Sequence, residues 1–408
     1  MKVRLFDKNR IYLFDGSKGS MLLKYGMQPG ELAENYNLEK EDIVLRIYKE
    51  YCDAGSDIIQ TNTLCANRMT LAQHGLEDKL DLINKKSIDL ARKAIGDRDI
   101  LVAASIGPLP ELVYPSGSLS FDEAYDLFKE QILACKDADL LNFETFTDLK
   151  QMRIALIANR DTVNLPVVAN MTFEQNNMTL MGQSPFICSG ILKKIGADVV
   201  GVNCSNGPDK MDRILTDISK FEDFTCVKPN AGMPHMKDGL VYYDQDSPTF
   251  CMNMKSLLKY NLGITGGCCG TSPEYIKDLN YIKKESRQVT IKTDQSNYLF
   301  SQFSYLDIDK DYLKYVLDLD GQTEDDFVDL AYDILDSHED VVVVTYRGES
   351  KEYIIKFVEE CQDIIKKPII FNIYDQAVLK TALKYYCGIA GYTKDMESVY
   401  GALHVNLS

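Results

Sequence analysis

The chain has 408 residues, 45% hydrophobic and 26% charged, a balance that excludes a disordered chain and suits a large buried core. Its 61 acidic against 45 basic residues leave a net charge of −16, so the surface repels nucleic acid and anionic membrane, and no local basic patch offsets this. The length fits two or three ordinary domains, or one barrel of about 250 residues with an appendix.

The N-terminal stretch MKVRLFDKNRIYLFDGS mixes charges into its apolar residues, unlike a signal peptide, and no segment approaches the ~20 apolar residues of a membrane span. A cytoplasmic protein is expected, with its 11 cysteines reduced.

Over the first 290 residues, short apolar runs ending in polar or glycine residues alternate with amphipathic stretches of helical length. In chain order the runs are Ile11 to Gly16, Ser56 to Thr63, Ile100 to Gly107, Leu140 to Thr145, Pro166 to Phe173, Asp198 to Ser205, Phe224 to Gly232 and Gly263 to Gly270. Strands without a polar side belong in a parallel sheet covered by helices. Eight such units predict an α/β fold, a closed (β/α)8 TIM barrel, with a doubly wound open sheet as the alternative.

Such barrels carry their sites at the C-terminal strand ends. Here those ends supply Asp15, Thr61 and Asn62, Ser105, Glu144 and Thr145, Thr172, Asn203 and Cys204, Asn230, and Cys268 and Cys269. Taken singly, a threonine or serine at such a position is also an ordinary loop residue. Cys52, Cys65, Cys135, Cys188, Cys226, Cys251, Cys361 and Cys387 are expected as small core or subsurface residues. Cys204, Cys268 and Cys269 differ, because they end the sixth and eighth strands. Adjacent strand residues point to opposite faces, so Cys268 and Cys269 converge only if the backbone departs from the pleat, which Gly266, Gly267 and Gly270 permit. Three thiolates around one Zn2+ would leave a fourth position open, the mark of a catalytic rather than a structural site. Such a zinc is too electron-rich to be a strong Lewis acid but keeps a fourth, substrate thiolate deprotonated and nucleophilic. The chemistry implied is alkyl transfer to a thiol.

GVNCSNGP (201–208), VKPNAGMP (227–234) and GGCCGTSP (266–273) resemble the zinc-site segments of the homocysteine S-methyltransferase family. YCDAGSDIIQTNTLCAN (51–67), SIGPLPELVYPSGS (105–118) and NFETFTD (142–148) extend the resemblance over about residues 10–285. The set is most similar to the N-terminal homocysteine-binding modules of cobalamin-dependent methionine synthases. The resemblance implies a homocysteine S-methyltransferase forming methionine, with Cys204, Cys268 and Cys269 as zinc ligands. It implies Asp15 and Glu144 as partners of the substrate amino group, with Ser105 and Asn203 in the substrate-binding set, and Asn230 as an oxygen ligand when substrate is absent. The methyl donor implied is methylcobalamin carried by a separate corrinoid protein, since no Asp-x-His-x-x-Gly segment is found. Betaine and S-methylmethionine are the alternative donors, and a non-catalytic zinc-containing subunit is the alternative class. His74, His235, His338 and His404 are scattered and expected as ordinary polar or packing residues. The loop after Asp15 departs from the family's DGAMG-like form: it reads Gly16-Ser17-Lys18-Gly19, and Lys18 is either a surface substitution or a positive charge near the substrate carboxylate.

The polar stretch 283–297 reads as a linker, dividing a barrel over 1–290 from a small α/β domain over 297–408. There the pattern predicts a helix over Leu319 to Asp336, a strand over Val341 to Tyr346, a helix over Tyr353 to Lys366, a strand over Pro368 to Tyr374 and a helix over Gln376 to Tyr386. Residues 366–386 and 388–395 weakly resemble the start of a pterin-binding barrel, but too few units remain to close one. Asn372, Ile373 and Tyr374 also replace the polar segment that such a site needs. The fragment is expected to pack on the barrel, mediate self-association into a homo-oligomer, or dock a corrinoid protein.

Overall fold

Strand residues of alternating direction build a barrel whose wall positions are all buried except Leu101 and Thr145, which are half-buried. In the computed structural model, which describes residues 5–204, 206–237, 240–285, 287 and 289–407, eight parallel strands form one sheet. They are β1 (Tyr12–Leu13), β2 (Ile58–Gln60), β3 (Leu101–Ile106), β4 (Leu140–Phe146), β5 (Val167–Met171), β6 (Val199–Asn203), β7 (Thr225–Lys228) and β8 (Leu262–Thr265). The sheet order is β1-β8-β7-β6-β5-β4-β3-β2, and a parallel bridge between Phe14 and Ile58 joins the two ends. The TIM barrel expected from the eight runs is present; Ser205, the last residue of the sixth run, lies outside the described residues.

Inward positions are layered along the barrel axis. At the bottom Tyr12, Phe14, Ile58, Ala103, Leu140, Val168, Val199, Phe224, Cys226 and Ile264 form an apolar plug. Two residues further along their strands come Gln60, Asn142, Asn170 and Lys228, a change of chemistry that period-two alternation delivers to the same interior face. They bond to one another: Asn170 donates to Asn142 Oδ1 at 2.9 Å, Asn142 to Gln60 Oε1 at 3.2 Å, and Lys228 to the same Gln60 oxygen. The layer needs room. A Cβ at Gly201 would lie 2.4 Å from Asn170 Oδ1, so only glycine fits there.

The C-terminal region adds an antiparallel pair, β9 (Tyr298–Phe300) with β10 (Tyr305–Asp307), and a five-stranded parallel sheet. Its strands β11 (Lys314–Asp318), β12 (Val341–Tyr346), β13 (Ile369–Ile373), β14 (Gly391–Tyr392) and β15 (Leu403–His404) lie in sequential order and do not close. The first helix is shorter than the pattern suggests, Phe327–Asp336, because a turn at Gly321, φ 91°, and a 3-10 turn over Glu324–Asp326 occupy the residues before it; the edge strand Lys314–Asp318 precedes that turn.

This sheet's helices press on the barrel. Arg153, 1% exposed, donates to the Leu383 and Lys384 carbonyls at 2.8 and 2.6 Å, meeting the C-terminal end of helix Gln376–Tyr385. Lys150 pairs with Asp363 at 2.6 Å, and the Phe121 and Tyr385 rings stack 4.4 Å apart. The polar stretch joining the two sheets is tied down along the barrel: Asp294 N–H donates to Lys220 O at 2.6 Å, and Asn261 Oδ1 accepts from Thr290 and Ile291.

Candidate functional site

At the C-terminal end of the barrel a cavity of about 430 Å3 is lined by Lys18, Gln60, Ser105, Glu144, Thr145 and the cysteines 204, 268 and 269, among others. The three sulfurs lie within 4.8 Å of one another, and those of Cys204 and Cys269 are 3.9 Å apart. Tetrahedral zinc–sulfur bonds of ~2.3 Å place two sulfurs about 3.8 Å apart, so the donor set fits a zinc ion. Hydrogen bonding with Cys204, then burial, pushes Cys269 up to about 12, and Cys268 is raised further, its bond with Cys204 being outweighed by Cys269 and burial.

Backbone irregularity brings these side chains together. Asn203 points into the barrel, and its neighbour Cys204 would point away, but a φ of 62° turns it back toward the cavity. On β4, Thr145 at φ 65° does the same after Glu144. Asn203 ties the two turns together: its Oδ1 accepts from Thr145 N–H at 2.8 Å, and its Nδ2 donates to Thr145 Oγ1 at 3.0 Å and reaches Cys268 Sγ at 3.6 Å. Gly270, at φ 80°, closes the Cys268–Cys269 turn, where a Cβ would strike the Tyr243 ring at 2.4 Å. Asn230 Oδ1 accepts from Cys269 N–H at 3.1 Å and braces that turn.

Beside the sulfurs stand two buried carboxylates, each with its own lysine. Glu144 Oε2 accepts from Lys228 Nζ at 2.7 Å, and Ser105 Oγ donates to its other oxygen. Burial opposes the charge on Glu144, but Lys228, the Ser105 hydroxyl and the more distant Lys18 together outweigh it and hold the carboxyl below its usual range. Asp15 Oδ2 accepts from Gln60 N–H at 3.0 Å and from Lys18 Nζ. For this pair burial wins: Asp15 is raised and Lys18 lowered, each partly restored by the other. Asp15 Oδ1 is buried and bonded to nothing among the described residues.

The eight residues that the resemblance assigns to the site therefore gather at one end of the barrel, and Lys18 is 8% exposed there rather than on the surface. Of the cysteines expected as filler, seven are buried, while Cys65 is half-buried in the cavity wall, and the exposed His74 stands at its rim. Reading the residues missed Lys228, whose inward direction needs the barrel's register, and Tyr243. Tyr243 reaches Cys269 from the hairpin Pro234–Lys237 and Leu240–Tyr243.

A parallel barrel with three cysteines converging beside paired carboxylates defines a class of thiol-lined, cation-competent (β/α)8 proteins. Residues 12–282 match the family described as Homocysteine S-methyltransferase, and the chain belongs to that family. It is 27% identical over 315 residues to methionine synthase of Mycobacterium tuberculosis, covering 71% of this chain and 26% of that protein. It is 28% identical over 298 residues to methionine synthase of Mycobacterium leprae, covering 66% and 24%. The chain thus spans about a quarter of the length of these relatives. Among solved structures, the metallated form of the homocysteine methyltransferase MmuM from Escherichia coli shares the fold, with a TM-score of 0.57, 20% identity, and coverage of 67% of this chain and 96% of that one. Among the described residues no helix is long and apolar enough to cross a membrane.

Proposed function

We propose that the protein is a zinc-dependent homocysteine S-methyltransferase that forms methionine, with Cys204, Cys268 and Cys269 as the metal ligands. The observation that carries this is the convergence of three sulfurs within 4.8 Å in a cavity that also presents Glu144. Zinc at these sulfurs would keep the substrate thiol ionised near neutral pH and therefore nucleophilic. With zinc bound, the thiol would give up its proton to solvent, and a sulfur lone pair would form the new S–C bond as the methyl group leaves its donor, which keeps the electron pair of the broken bond. Glu144 and Asp15 set the charge of the substrate pocket, and Ser105 and Asn203 hold Glu144 and Thr145 in place. Asn230 is the candidate oxygen ligand in the absence of substrate, its Oδ1 lying beside the Cys269 backbone.

The donor in this reading is methylcobalamin presented by a separate corrinoid protein, which the similarity to methionine synthases supports. We place the reaction in the cytoplasm, where the three thiols stay reduced. Residues 1–290 form the homocysteine-binding barrel and 297–408 a second α/β domain; their separate sheets support the division.

Metal analysis followed by homocysteine titration tests the reading. About one zinc per chain is expected, with proton release on thiol binding and loss of both in Cys268→Ala. A protein that binds no zinc, or one whose Cys268→Ala variant keeps it, overturns the assignment. Methylcobalamin, betaine and S-methylmethionine assayed side by side identify the donor.

A further inference from the structure

The C-terminal sheet ends in an open edge. In its strand order β11 has β12 as its single neighbour among the described residues, so the far side of β11 is unpaired. Leu313 O accepts from Val341 N–H at 3.3 Å and Leu319 N–H donates to Thr345 O at 2.9 Å, so the odd-numbered residues of this stretch bond inward to β12. Lys314, Val316 and Asp318, between them, turn their N–H and C=O groups outward. All three are exposed, and Val316, at 67%, is an apolar β-branched residue in the middle of the edge. Val328 and Tyr332, one turn apart on the helix Phe327–Asp336 that follows this strand, are exposed as well.

An edge of this kind templates another strand unless charge, proline or a bulge prevents it. Here the charges select a partner. The edge reads Lys-Tyr-Val-Leu-Asp, with opposite charges placed symmetrically about Val316. Laid antiparallel against a second copy, with Val316 opposite its own counterpart, the outward-turned residues meet as hydrogen-bonded pairs, and Lys314 of each copy faces Asp318 of the other. On the opposite face Tyr315 meets Leu317 as a pair without backbone bonds between them, where side chains approach most closely. In-register parallel pairing would instead set like charges side by side. The antiparallel contact uses the same surface on both copies and closes after two, so it gives a dimer and not a fibre. We propose that β11 is a self-complementary edge through which two copies of this chain dimerise, joining their five-stranded sheets into one.

Sedimentation equilibrium of the full chain over a range of concentrations tests this. The wild-type protein is expected to reach twice the chain mass. Val316→Pro removes an N–H that the single chain leaves outside its sheet, a change that an edge strand tolerates, and is expected to leave a monomer. Lys314→Glu and Asp318→Lys each set like charges opposite one another at both ends of the contact, and each is expected to weaken dimerisation at least about tenfold. Both sites are exposed, and Arg347, which pairs with Asp318, keeps Asp320 as a partner, so the charge variants serve if the proline variant does not fold. Mixed in equal amounts, the two charge variants regain both pairs between unlike chains, and dimerisation is expected to return to within about threefold of wild type. A wild-type chain that is monomeric at every concentration, a dimer that survives Val316→Pro or both charge variants, or a mixture no more associated than its components overturns the proposal.

Discussion

Lys228 and Glu144 face each other across the barrel interior, Nζ to Oε2 at 2.7 Å, with side chains 0% and 5% exposed. They sit on β7 and β4, so the bond crosses the barrel rather than following the sheet. Removing one partner strands the other in a medium that solvates it poorly. Lys228→Met is expected to cost about 3–5 kcal/mol of stability. The double variant with Glu144→Gln recovers much of that loss, because no charge is left unpaired. Chemical denaturation of the four proteins in the cycle measures the coupling, and additive costs would contradict a buried ion pair.

Asn203 holds the Thr145 turn and touches Cys268, so at the proposed metal site it would act as a brace. Asn203→Ala leaves all three sulfurs in the chain but frees two backbone segments with positive φ. Zinc affinity is expected to fall about 10- to 100-fold, the usual effect of losing a partner just outside the ligand shell. Competition with a chromophoric chelator reads this directly; an unchanged affinity would show that Cys204 and Cys268 are placed without it.

The barrel and its cysteines were legible because their causes are local. A strand buried on both faces has no polar side, as in VVANM and VVGVN, and the glycines around Cys268 and Cys269 announce an irregular backbone. Lys228 was hidden because a lysine before proline reads as a strand end pointing to solvent; only the register of β7 against β6, Asn203 opposite Lys228, turns it inward. The edge strand Lys314–Asp318 was missed because Tyr315, Val316 and Leu317 are consecutive apolar residues, so the sequence shows no alternation although only Tyr315 and Leu317 turn toward the core. For Lys18 the deciding contacts, Tyr48 and Tyr51, come from another helix about thirty residues away in the sequence.

The C-terminal region meets the barrel at a glycine. A Cβ at Gly190, in helix Pro185–Ile195, would lie 2.4 Å from Phe300 Cζ, well inside contact distance. Gly190→Ala is therefore expected to cost about 1–3 kcal/mol through overpacking, despite alanine's better helix propensity. The same substitution in a Phe300→Leu background should cost measurably less. Thermal denaturation of both pairs checks this, and equal costs would place the strain somewhere other than this contact.

Glu222 supplies a pH dependence of known sign. It is fully buried near the base of the barrel, where Lys193 lies at 2.8 Å, itself 37% exposed, and Lys8 acts from further away. Burial, only partly offset by Lys193, pushes the carboxyl up to about 7, against ~4.3 in an unfolded chain. Between those values the folded state holds a proton that the unfolded state has released, so stability falls as pH rises through the window and stays reduced above it. Glu222→Gln cannot titrate there. Relative to this variant, the wild-type protein should lose about 3 kcal/mol of stability on going from pH 4 to pH 8. Urea denaturation of both proteins at intervals across that range gives the difference curve; a flat curve, or one that rises with pH, would mean that Glu222 is ionised in the folded protein throughout.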